Sequence, residues 1–178
     1  MTACSRIFQE LETQRKVLLA ELTAWPPNRV NFRPAPGAWS AVEVLDHIVR
    51  AETGTIADVR KGLQNPHTLG PEERPGIAAL NQLLRSDQSF KVPAGAAIHP
   101  DTQTTLSDVT DRWEQTRAEV KSLLDHLTPE DSRCGVFNHP FAGWMTFSDV
   151  LDHFSAHLYH HGFQLARLRA SFPRQQSE

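Results

Sequence analysis

The chain is poor in cysteine, with only Cys4 and Cys134 among 178 residues. Two thiols make no disulfide framework and no CxxC metal motif, leave a Cys4 to Cys134 pairing open, and suit a reducing compartment. No run approaches the roughly 18 apolar residues of a membrane span. The opening MTACSRIFQELETQRK carries acidic residues where a signal peptide has an apolar stretch, so the expectation is a cytoplasmic protein without a membrane partner. Glycine never gathers into a phosphate loop or a dinucleotide motif, and no basic stripe interleaves with aromatics. With a formal net charge of -3, nucleic acid is not an expected partner. No serine or cysteine stands beside a base in a way that suggests a covalent triad.

What is present is helical periodicity. Over 5–24, Phe8, Leu11, Leu18, Leu19 and Leu22 share one side, and Glu12, Lys16 and Glu21 lie mostly away from it. Trp25-Pro26-Pro27 stops that helix, because neither proline can donate a backbone N–H. Ser40 with Glu43 reads as a capping box opening a helix over 40–62, whose stripe runs through Val44, Leu45, Ile48, Val59 and Leu63. A third helix is expected over 105–127, and Thr146 with Asp149 caps a fourth over 147–170. The fold class expected is all-α, a four-helix bundle in a single domain spanning 1–178. A partly irregular insertion at 64–103 interrupts it. Leu80, Leu83 and Leu84 recur there at helical spacing and predict a short helix over 76–85, whereas 89–100 reads as irregular, with Phe90, Val92 and Ile98 available to a satellite core or a pocket wall. Trp39 is expected to pack across the start of the second helix or to line a pocket.

The last helix places His153, His157 and His161 four residues apart. Val150, Phe154, His157, His161, Leu165 and Leu168 form one stripe at about 100 degrees per residue, so two histidines face the core one turn apart. An imidazole pair at that spacing can reach one metal ion or serve as hydrogen-bonded core. His47, on the flank of the second helix beside Val44 and Ala51, is the best third ligand. Glu52, nearer the middle of that stripe, reads as a fourth ligand, an acceptor for an imidazole N–H, or an ion-pair partner. His67, His99 and His139 fall in expected loops, where exposure is the plain reading.

Pro36-Gly37-Ala38-Trp39-Ser40 followed by His47, and His139-Pro140-Phe141-Ala142-Gly143 followed by Thr146, His157, His161 and Gln164, resemble the two motifs of the DinB-like (DinB/YfiT) superfamily. Its members are four-helix, metal-dependent proteins holding the ion with one histidine from the second helix and an HxxxH pair from the last. The resemblance implies an up-down-down-up path, with His47, His157 and His161 as ligands. It also places His160 and Gln164 beside the ligands and gives His153 no ligand role; Glu52, His160 and Gln164 become candidates for orienting ligands or handling protons. Three neutral imidazoles bring no charge, so a divalent ion would keep its own and an open position. Zinc or nickel suits three nitrogens, with iron and manganese also open.

The superfamily includes transferases and isomerases that use low-molecular-weight thiols. The expected function is accordingly a thiol-dependent transferase or a hydrolase of a small molecule; the alternative is a non-catalytic metal-binding or stress-related helical-bundle protein. Tyr159, Phe163 and Ala166, with Ala156 one turn earlier, read as an apolar patch on the far side of the last helix and predict a homodimer, the alternative being that the irregular segment 64–100 covers the patch within one chain.

Overall fold

The computed structural model describes residues 2–70, 73, 76–88 and 98–173. Among these, four long helices carry the architecture: α1 (Ala3–Thr23), α3 (Ala41–Gln64), α5 (Leu106–His126) and α6 (Phe147–Ser171), with the short α2 (Pro27–Val30) and α4 (Ile77–Leu84) between them. The chain is all-α apart from a small hairpin, β1 (Phe137–His139) paired antiparallel with β2 (Gly143–Met145). The long helices begin and end within two residues of the expected bounds, because their caps are chemical. Ser40 Oγ accepts from the Glu43 N–H and the Glu43 carboxylate accepts from the Ser40 N–H; Thr105 with Asp108 and Thr146 with Asp149 repeat the arrangement.

Side-chain pairs fix the helix directions. Ser155 donates to Gln14 and Arg169 pairs with Glu21, so α1 and α6 run the same way. Asp46 meets Arg112, Thr53 meets Thr116 and Arg60 meets Glu119, so α3 and α5 also run together. Arg15 pairs with Glu114 while Glu12 lies beside Arg117, which sets α1 against α5. The path is therefore up-down-down-up.

Leu11, Leu22, Leu45, Ile48, Ile56, Trp113, Phe147, Leu151 and Phe154 fill the space between the rods. Within this core Glu52, at 0% exposure, accepts from Trp113 Nε1 and from Arg117 Nη2, each at 2.7 Å. Burial pushes the Glu52 carboxyl up and the Arg117 guanidinium down, and their mutual pairing is what makes either charge tolerable there.

Two connections differ from the expectation of irregular chain. Pro26 and Pro27 end α1 and also start α2, since proline's fixed φ suits a first helical turn. The segment before α6 forms the β-hairpin, with Gly143 at φ +76 in the turn-side position that favours glycine. Val136, Ala142 and Met145 are buried, so this segment closes the core, while Trp144 stacks on His67 at 4.3 Å between centroids. Within the insertion α4 forms over the expected leucines and packs on α6. The irregular stretch expected at 89–100, with Phe90 and Val92, lies outside the described residues up to 97; Ile98 is described and bears on the site below. Both cysteines are free. Ala156 is fully buried and so is not part of the outer patch, which reduces to Tyr159 packed on Phe163 at 5.2 Å and the exposed Ala166. No helix among the described residues is long and apolar enough to cross a membrane.

Candidate metal centre

The antiparallel approach of α3 to α6 brings His47 opposite His157 and His161. The ring centroids lie 5.2 Å apart for His47 and His157, 4.8 Å for His47 and His161, and 4.6 Å for His157 and His161. The His157 Nε2 atom is 3.3 Å from His47 Nε2 and 3.0 Å from His161 Nε2. One ring nitrogen from each of the three lies within 4.8 Å of the others.

The outer nitrogens explain why the inner ones converge. His47 Nδ1 donates to the Ile98 carbonyl at 2.8 Å, and His161 Nδ1 donates to Gln164 Oε1 at 2.9 Å. Each partner is an acceptor, so each Nδ1 carries the proton and each Nε2 turns a lone pair toward His157. Burial lowers the pKa of all three rings: His161 to about 3, His157 well below its ordinary value, and His47 in the same direction. His157 is partly exposed and lines a cavity.

A proton on His157 Nε2 lets these contacts serve as hydrogen bonds; with that proton on Nδ1 instead, three lone pairs converge and a cation between them relieves their repulsion. Tetrahedral coordination at about 2.0–2.1 Å per bond separates two ligand nitrogens by roughly 3.3 Å; the His47 to His157 contact has that spacing, the His157 to His161 contact at 3.0 Å is slightly shorter, and all three atoms stay within 4.8 Å. Acceptors holding the outer N–H groups are what metal-ligating histidines generally have. The donor set therefore fits a divalent ion.

The cluster forms part of the wall of a cavity of about 950 Å³, whose lining also includes Trp39, Leu80, Leu84, Phe137, His139, Phe141, His153, Phe154, His160 and Gln164. Trp39 takes the pocket-lining role, its ring 5.0 Å from His47, while also packing against the core. His160 is half-buried on the same wall, its ring 5.0 Å from His161, and its pKa is lowered chiefly by burial and raised in part by a hydrogen bond with the Leu84 backbone. Gln164 orients His161. Glu52 is elsewhere: its carboxylate accepts from Trp113 and Arg117, neither an imidazole, and it does not line the cavity. Of its sequence readings the structure displays the ion pair, though with a residue of α5 and not of its own helix. His139 and His99, read as exposed loop residues, both line the cavity.

Three partners had no readable signal: the Ile98 carbonyl and Asn81, which come from the insertion, and Arg117, which faces Glu52 from a helix 65 residues on. A backbone carbonyl leaves no mark in residue identity. Arg117 could have been found only as a charged residue on the buried face of α5.

Comparison with known families matches residues 10–165 to the DinB superfamily. The match covers most of the chain, and the protein belongs to that superfamily. No curated protein and no solved structure matches it.

Proposed function

We propose that this DinB superfamily member is a divalent-metal-dependent enzyme acting on a small molecule, with His47, His157 and His161 holding one ion at the wall of the cavity. The observation that carries the reading is the convergence of three imidazole nitrogens whose outer N–H groups are tied to Ile98 and Gln164. An ion held there supplies a positive centre with a free position, able to polarise a carbonyl or favour a thiolate.

The chain supplies the rest. Ile98 and Gln164 hold the rings in place, Leu80, Phe137 and Phe154 give the cavity an apolar wall, and His160, its ring 5.0 Å from that of His161, is placed to accept or return a proton at the cavity wall. Among the described residues no cysteine lines the cavity, so a reacting thiol would come from a low-molecular-weight cosubstrate. The resemblance to superfamily members that use low-molecular-weight thiols supports transfer of a small electrophile to such a thiol, with hydrolysis as the competing reaction. Three nitrogen donors without thiolate or carboxylate suit zinc or nickel better than iron or manganese. The reading includes one domain over 1–178, a cytoplasmic location in keeping with two free thiols, and a homodimer through Tyr159, 54% exposed, and Phe163.

Metal-loaded protein incubated with a panel of electrophiles, with and without cellular thiols, tests the chemistry. Thiol-dependent turnover is expected. Thiol-independent cleavage would replace transfer by hydrolysis, and absence of turnover together with metal-dependent melting would leave a binding protein.

A further inference from the structure

One turn before His157, the cavity wall holds a second pair of histidines that the metal reading does not use. His153 is anchored from α4 and its own helix. Asp152 accepts from Arg85 Nη2 at 2.6 Å and from Asn81 Nδ2 at 2.6 Å. A carboxylate only accepts, so Asn81 turns its amide nitrogen to Asp152 and its Oδ1 to His153, 3.2 Å from Nδ1. The proton of His153 is thus on Nδ1, and Nε2 offers a lone pair. His139 has the opposite arrangement. Its Nδ1 accepts from the backbone N–H groups of Phe141 and Ala142, each at 3.2 Å, which leaves the proton on Nε2. The two rings are 5.1 Å apart and inclined at 64°, and both line the cavity.

We propose that His153 Nε2 and His139 Nε2–H form a subsite for a primary carboxamide, the first accepting from the amide nitrogen and the second donating to the amide oxygen. In the metal-free protein a carboxylate would bring negative charge against the His153 lone pair, and the nearby guanidinium groups among the described residues are already paired, Arg85 with Asp152 and Arg167 with Asp87. An ammonium group would find one acceptor and one opposing donor. The amide alone among these matches one donor and one acceptor of its own to the pair. Phe137 and Phe141, with ring centroids 6.1 Å and 5.9 Å from that of His139, suit an apolar body attached to it. The subsite rests on reading the cavity as a small-molecule site, and it does not depend on which metal is held.

Imidazole nitrogen-15 NMR of the full chain, metal-free and zinc-loaded, tests the subsite with hexanamide as probe and hexanoate as control. The free protein is expected to show the Nδ1–H tautomer at His153 and the Nε2–H tautomer at His139. In the metal-free protein hexanamide should shift both Nε2 resonances saturably, hexanoate should not, and His153→Phe should abolish the shift at His139. An Nε2–H tautomer at His153 in the wild type would overturn the proposal without recourse to any variant. So would an equal response to hexanoate, or no response to hexanamide. Zinc-induced shifts at His47, His157 and His161 in the same spectra report separately on the metal reading.

Discussion

His161 can offer a lone pair because its other nitrogen has a fixed acceptor, and Gln164 is that acceptor. Gln164→Leu removes the acceptor and lets the ring turn or change tautomer. Loss of such a partner typically weakens metal binding by about 10–100-fold, an effect measurable by titration against a competing chelator; unchanged affinity would deny Gln164 its orienting role. The depressed imidazole pKa values carry a second consequence. Burial lowers His153 to about 4 and His161 to about 3, whereas an unfolded histidine titrates near about 6.5. Below that value the unfolded chain binds protons that the folded chain refuses, so stability is full above about 6.5 and is lost as pH falls toward the folded values. Each such group costs about 1.4 kcal/mol per pH unit within that window. The thermal midpoint of metal-free protein should drop steeply between about pH 6.5 and 5, and a flat profile would show that these rings are not held neutral. The i, i+4 pair could be read directly from the chain, and the glutamine three residues on was pointed to by the family resemblance. Asn81 behind His153 could not, since the contact spans 72 residues.

At the scale of elements, the long helices were legible because each body carries an apolar stripe and three of the four starts, those of α3, α5 and α6, carry a reciprocal cap. The hairpin was not: strands of three residues, Phe137–His139 and Gly143–Met145, are too short to establish a period of two. Nor does composition reveal that α3 ends against it. A Cβ on Gly62 would overlap the Val136 carbonyl oxygen, a backbone atom with little freedom to retreat. Gly62 looks from the sequence like a weak point near a helix end, but the structure makes it the place where α3 and the hairpin segment meet. Gly62→Ala should therefore destabilise by about 1–3 kcal/mol in spite of alanine's better helix propensity, as read from urea or thermal unfolding. A gain in stability would mean that the two segments do not approach so closely. The apolar patch on α6 shows the same limit of helical periodicity, which assigned Ala156 outward although it is fully buried; a stripe read at 100 degrees per residue does not register that α4 and α1 cover α6 from two further directions.

At the scale of the molecule, the parallel pairs α1 with α6 and α3 with α5 run against each other, and that opposition sets one histidine of α3 across from two of α6. Glu52 and Arg117 join α3 to α5 within the core, while Ile98 and Asn81 reach the site from the insertion, so scaffold and cavity are built from different parts of the chain. The histidine cluster could be anticipated because it sits on the regular helices, as does Gln164; Ile98 was hidden because it comes from the irregular connection. The most direct measurement is the metal content of protein purified without an affinity tag, for the wild type and for His157→Ala with His161→Ala, with helical content monitored by circular dichroism. The wild type is predicted to carry about one divalent ion per chain and the doubly substituted protein almost none while remaining helical. Stoichiometric metal surviving in the folded double variant would contradict the account.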